Sequence, residues 1–258
     1  MGRTADGSAG DADYGVIART YTDHRRPDPR IAEAVHRALG TARTVLNVGA
    51  GAGSYEPLDR DVTAVEPSAS MRARRPDTLS GAVDATAEHL PFPDGAFDAA
   101  MTTFSVHQWQ DLPAGLSEVR RVTTGPVAVL TCDPDLVRDF WLYEYAPEVL
   151  DTEARRYPAI ADLASGLGGT TEVVPVPVPL DCSDGFNEAY YGRPERLLEV
   201  GARLSCSAWS FVDDEAHGRF VAALSGDLAD GTWDRRFGHL RELPALEGSL
   251  VLVVSVPD

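Results

Sequence analysis

Five short apolar runs divide the first half of the chain, and none of them alternates cleanly. They are TVLNVG (44–49), DVTAVE (61–66), SGAVDA (80–85), AFDAAMTTF (96–104) and PVAVLTCD (126–133), all rich in Val or Ala and bounded by turn residues. A strand with one wet face alternates apolar and polar side chains, whereas a strand covered on both faces does not. Helical patterns flank these runs. Ile31, Ala34, Val35, Ala38 and Leu39 share one helical face, with Asp28 as the cap, Pro29 in the first turn and Gly40 as the stop. Leu112, Leu116 and Val119 fall in register within DLPAGLSEVRRV. Strand and helix in alternation predict an α/β fold with a doubly wound parallel sheet.

The second half reads differently. Residues 134–169 look helical and carry Trp141, Tyr143, Tyr145 and Tyr157, and EVVPVPVPL (172–180) follows. Each proline removes a ladder donor, so this segment cannot be a central strand. Because Pro175, Pro177 and Pro179 alternate, their missing N–H groups lie on one side of an extended chain. That predicts an edge strand that pairs inward through Val174, Val176 and Val178, with a polyproline-like linker as the other reading. A helix over 213–229 carries a core stripe of Ala216, Phe220, Leu224 and Leu228. The apolar GSLVLVVSV (248–256) needs cover on both faces, which places it inside the sheet, antiparallel, beside the proline-edged strand.

Composition removes several kinds of function. A formal charge of -17 repels a nucleic-acid backbone. All 23 basic residues are arginine, so a lysine Schiff base, a P-loop lysine and a Ser-Lys pair are excluded. Cys132, Cys182 and Cys206 lack the spacing of a zinc site or disulfide framework and are expected as buried reduced thiols. Residues 1–13 are small and acidic, without an apolar signal segment, and no run reaches membrane-spanning length, so a cytoplasmic protein with a disordered leader is expected.

The sharpest feature lies after the first strand, in VLNVGAGAGSYEP (45–57). Glycines at alternate positions let backbone N–H groups approach a ligand with no side chain between. The dinucleotide fingerprint would need glycine at 54 or 56, which are Ser54 and Glu56. Glu66, ending the second strand, can accept both hydroxyls of a ribose, which suits NAD or an adenosyl ligand. Asp84, ending the third, can take the exocyclic amine of adenine while the Ala85 N–H serves a ring nitrogen.

Taken together, VLNVGAGAGSYE, VTAVEPS, VDATAEHLPFPDGAFDAA and FSVHQWQDLPAGLSEVRRV resemble the successive motifs of class I S-adenosylmethionine-dependent methyltransferases, in the small-molecule type 11 branch. The resemblance is close over roughly residues 14–133 and elsewhere follows mainly the order of elements. It implies a seven-stranded Rossmann-like sheet, mostly parallel with an antiparallel last strand, plus a helical and aromatic insertion that caps the substrate. One domain over 14–258 would then hold a cofactor half (14–133), substrate-side elements (134–247) and the last strand (248–256).

It implies further that Gly49, Ala50, Gly51 and Gly53 wrap the methionine and ribose of S-adenosylmethionine, with Asn47 and Thr103 beside them. Glu66 holds the ribose, Pro67 touches adenine, and Asp84 and Ala85 read its edge. YGVIARTYTDHRRPDP (14–29) resembles the family's N-terminal cap, with Tyr21 and Arg26 closing over the methionyl end. Asn47 departs from the usual aspartate and adds no charge against the cofactor's ammonium.

His107, just past the fourth strand, is the candidate base, and Trp109 is expected in the core. No D-P-P-Y-like segment follows the fourth strand, and Asp133 is the one well-placed carboxylate, so no metal is expected. Trp141, Tyr143, Tyr190, Tyr191 and Arg193 are candidates to line an acceptor pocket for a small molecule, with nucleic acid and membrane not expected as partners. Three functions follow: methyl transfer to oxygen, nitrogen or carbon of a small metabolite; the same fold used as a cyclase or binding module without methyl transfer; and a nicotinamide-dependent dehydrogenase.

Overall fold

A computed structural model describes residues 24–258. Helix α1 (Pro29–Ala38) leads into β1 (Thr44–Val48); β2 (Asp61–Val65), α2 (Ala69–Arg72), β3 (Ala82–Val83), β4 (Ala99–Thr103), α3 (Leu112–Val122) and β5 (Val127–Cys132) follow. Then come α4 (Pro147–Arg156), α5 (Ile160–Leu167), β6 (Thr170–Pro175) and β7 (Val178–Pro179). Helices α6 (Val200–Leu204), α7 (Asp214–Ala229) and α8 (Thr232–Phe237) precede β8 (Ala245–Leu246) and β9 (Leu250–Val256). The expected N-terminal cap signal works as read, since the Asp28 side chain accepts from the Arg30 N–H and Pro29 opens α1.

Seven strands form one sheet in the order β3-β2-β1-β4-β5-β9-β6. Strands β1 to β5 pair in parallel, and β9 runs antiparallel to both β5 and β6. The absence of alternation in the sequence has the expected cause, for both faces are covered. Successive residues of one strand feed different cores: Val45, Ala99, Ala128 and Leu252 join the cluster under α1 and α4, while Leu46, Ala100, Val129 and Val253 join the one under α3 and α5. All six residues of β5 are buried.

The proline segment is an edge strand over a shorter span than expected. β6 lies at the sheet's rim and starts earlier, at Thr170, and Val176 N–H still donates to Leu250 C=O at 2.9 Å. Past that bond the chain leaves the sheet, and Val178–Pro179 pairs instead with β8 in a separate two-stranded sheet. The region expected as helical over 134–169 is α4 and α5 preceded by 3₁₀ turns at Val137–Asp139 and Trp141–Glu144. Phe220 and Leu224 of α7 are fully buried in the core, as their stripe predicts.

Candidate cofactor cleft

The cleft opens at the carboxyl ends of β1, β2 and β4, where the parallel order on either side of β1 diverges. Beyond Val48 the backbone turns through positive φ at Gly49 (67°), Gly51 (53°) and Gly53 (95°). At Gly49 the turn also demands space, because a Cβ there would sit 1.8 Å from Ser105 Oγ. Ala50 N–H donates to Val65 C=O at 2.9 Å, tying the loop to the end of β2.

Glu66 then clasps the turn. One carboxylate oxygen accepts from the Gly51 N–H at 2.8 Å and the other from the Ser68 N–H at 2.8 Å. Gly49, Ala50, Gly51, Glu66 and Pro67 line one wall of the cleft, and Thr103, Phe104 and Ser105 line the other. Thr86, Ala87 and Glu88 close a third side. The Glu88 carboxylate accepts from the Gln110 N–H at 2.8 Å, so the loops after β3 and β4 are stitched together.

Expected residues outside this cleft are equally informative. The Asp84 carboxylate is half-exposed and pairs with Arg72 at 3.1 Å, and the Ala85 N–H donates to Val83 C=O at 3.1 Å. Neither residue lines the cleft wall; the segment that does so begins at Thr86. Arg26 is exposed beside His24, on a shallow surface hollow. Its neighbour Arg25 turns inward: Nε donates to Asp184 Oδ1 at 2.6 Å and the guanidinium lies 5.0 Å from the Phe104 ring centre. Tyr21 lies outside the described residues. Trp109 caps the loop after β4, its indole N–H donating to Ser105 Oγ at 3.0 Å.

Asn47 is fully buried beneath the turn. Its amide donates to Glu56 Oε1 at 2.9 Å, and Glu56 is held by Arg75 through two bonds of 2.9 Å. Its own Oδ1 meets no partner among the described residues. An aspartate at this position would put a second negative charge beside Glu56, so asparagine fits the Glu56–Arg75 pair, which is itself buried.

The aromatic residues expected around an acceptor fall elsewhere. Trp141 donates to Tyr191 C=O, Tyr191 donates to Leu243 C=O, and Arg193 donates to the Cys182 and Ala189 carbonyls, so these groups bind the second half together. Trp141 and Tyr143 border a different cavity, of about 590 Å³, with Phe237. Past Phe104 lies a cluster of buried polar side chains. His107, in the 3₁₀ turn Val106–Gln108, sets its ring 4.9 Å from that of Tyr157, edge to face. Burial, then Arg156 and Arg25, push the imidazole down to about 3, so it stays neutral at physiological pH. Glu153, four residues before Tyr157, accepts from Asn187 Nδ2 at 2.9 Å. Nothing in the apolar pattern marked Glu153 or Asn187, since a lone acid on an amphipathic helix reads as solvated.

A methyltransferase-domain family profile matches residues 46–125. A solved structure from Anabaena variabilis, assigned as a methyltransferase from an antibiotic biosynthesis pathway, superposes with a TM-score of 0.83 at 27% identity, over 90% of this chain and 98% of that one. Residues 46–125 thus match the type 11 methyltransferase domain, and the sequence resembles the class I S-adenosylmethionine-dependent methyltransferases around it. Within that family, the malonyl-[acyl-carrier protein] O-methyltransferase of Erwinia pyrifoliae is 32% identical over 131 residues, or 48% of this chain and 50% of its own length. The demethylmenaquinone methyltransferase of Beutenbergia cavernae is 42% identical over 96 residues, covering 33% of this chain and 39% of its own. The chain thus spans about half or less of the length of these curated relatives. The class I methyltransferase cofactor is S-adenosylmethionine, and the residues present fit it: a glycine turn whose backbone lines the cleft, a carboxylate at its rim and an Asn47 oxygen beneath it with no partner among the described residues.

Proposed function

We propose that this protein transfers a methyl group from S-adenosylmethionine to an oxygen, nitrogen or carbon atom of a small metabolite of secondary metabolism, in the cytoplasm. The single observation that carries the reading is the Gly49–Gly51 turn clasped by Glu66 in a cleft whose far wall is Thr103, Phe104 and Ser105. When bound, the cofactor supplies an electrophilic methyl group on a sulfonium. The chain's own task is then placement, because a nucleophile held in line at about 3 to 3.5 Å reacts without further activation if it carries no proton.

The glycine turn and Asn47 take the methionyl portion, Glu66 the ribose, and Pro67 the adenine, with Thr103 beside the reacting end. Asp84 and Ala85 reach the adenine only if the Arg72 pair yields to the ligand. His107, neutral and with a buried Nδ1 that has no partner among the described residues, would hydrogen-bond the acceptor rather than store its proton. No helix of the described residues is long and apolar enough to cross a membrane, in keeping with a substrate met in water.

Asn47 favours a second reading, in which the bound cofactor is a scaffold for a cyclisation, because it adds no charge against the ammonium group. Two measurements decide. Calorimetry is expected to show binding of S-adenosylmethionine and its demethylated product but not of NAD. A panel of acceptors with labelled cofactor is expected to yield labelled methyl product; label that binds and is never lost favours the scaffold.

A further inference from the structure

One side chain of the cleft is without partners at both ends. Gln108 closes the 3₁₀ turn Val106–Gln108 and lines the cleft. Its amide Oε1 and Nε2 are both buried, and neither meets a partner among the described residues. A buried amide whose donor and acceptor are both unmade is unfavourable, and a ligand that offers one of each recovers the loss. The backbone fixes where the amide stands, for the Gln108 N–H donates to Ser105 C=O at 2.8 Å and the Trp109 N–H to Val106 C=O at 3.3 Å.

Its position along the cleft follows from its neighbours. The Gln110 and Asp111 N–H groups donate to Glu88 Oε1 at 2.8 and 3.2 Å. A Cβ on Gly115 would meet the Trp109 ring at 2.5 Å and the Ala87 Cβ at 3.2 Å, so that ring and Ala87 lie side by side. Gln108 therefore stands next to the side of the cleft closed by Thr86, Ala87 and Glu88, in the loop after β3. Asp84 and Ala85 come just before that side and turn elsewhere: the carboxylate pairs with Arg72 at 3.1 Å and the N–H donates to Val83 C=O at 3.1 Å. Pro67 and Met71 line the same cleft and add apolar surface that suits a flat ring.

We propose that Gln108 reads the base of the cofactor, accepting at Oε1 from the exocyclic amine of adenine and donating from Nε2 to the ring nitrogen beside it. The proposal rests on the cofactor reading above and deepens it. Adenine carries an amine hydrogen next to a ring-nitrogen acceptor, which is the complement of a carboxamide; glutamine meets adenine through two such bonds in nucleic-acid recognition. A purine without the amine leaves Oε1 buried and unpaired, so Gln108 sets a preference for adenine that the paired Asp84 does not.

The test is calorimetry on the whole protein with two probes, S-adenosylhomocysteine and its analogue in which hydrogen replaces the exocyclic amine. Wild type is expected to bind the analogue about tenfold more weakly. In Gln108→Met, which keeps the chain length and removes the amide, less than about threefold is expected to separate the probes. A change in cleft shape alone weakens both probes together and leaves their ratio intact, so the ratio reports the contact itself. Should that variant not fold, Gln108→Ala carries the same expectation. A wild type that binds both probes alike, a ratio that persists in Gln108→Met, or a ratio lost in Asp84→Asn and kept in Gln108→Met overturns the proposal. Failure of wild type to bind either S-adenosylhomocysteine or S-adenosylmethionine overturns the reading beneath it.

Discussion

At Gly49, backbone conformation and close packing against Ser105 meet in one atom. A Cβ there would strike Ser105 Oγ at 1.8 Å and Ser105 Cβ at 2.7 Å, in a backbone of positive φ. Gly49→Ala is therefore expected to lower stability by about 1 to 3 kcal/mol through overpacking and to abolish calorimetric cofactor binding, with Ser105→Gly restoring part of the stability in the double variant. Asn47 makes an electrostatic prediction. Asn47→Asp sets a second carboxylate against Glu56 with one guanidinium to share. The new acid is expected to have a raised folded pKa, so the variant's deficit in urea melts is largest at neutral pH and shrinks as pH falls towards about 4. Glu153 titrates in the same sense. Burial and then Glu188 raise it from 4.5 to about 7, so the stability it contributes below pH 4.5 is lost as pH rises through about 7. Glu153→Gln removes that slope and is expected to be the more stable form at pH 8, by up to about 3 kcal/mol in denaturant melts.

The elements show which signals a sequence carries plainly. Pattern and caps placed α1, α3, α7 and every long strand, because periodicity and cap chemistry act within a few residues. The alternating prolines placed β6 at the rim, since a missing N–H is tolerated only where no neighbour needs it. Where β6 ends was not legible, because the switch of Val178 to β8 depends on a partner 68 residues away in the chain, at Leu246. The prolines also imply a function for the rim. Pro175→Thr returns an outward donor to an edge where Val173 is already exposed, and concentration-dependent self-association by size-exclusion chromatography is the expected result. An unchanged elution volume at all concentrations contradicts that reading of the edge.

Across the whole molecule, the residues that share the cleft were readable together and the buried polar cluster was not. Gly49, Gly51, Glu66, Pro67 and Thr103 meet in one cleft, because a glycine turn and two strand ends are marked within short stretches of sequence. The buried polar cluster of Arg25, His107, Glu153 and Asn187 comes from four distant segments with no shared motif. Sequence reasoning chose Arg26 where Arg25 turns inward, because one residue reverses the direction of a side chain in extended chain. It also assigned the aromatic residues Trp141 and Tyr191 to a ligand when they bind the second half together. The measurement closest to the central claim is calorimetric titration of wild type and Glu66→Gln with S-adenosylmethionine. Saturable binding by wild type, weakened about tenfold or more in the variant as a charge-assisted contact is lost, is the expected result. No binding by wild type, or equal affinity in the two, contradicts it.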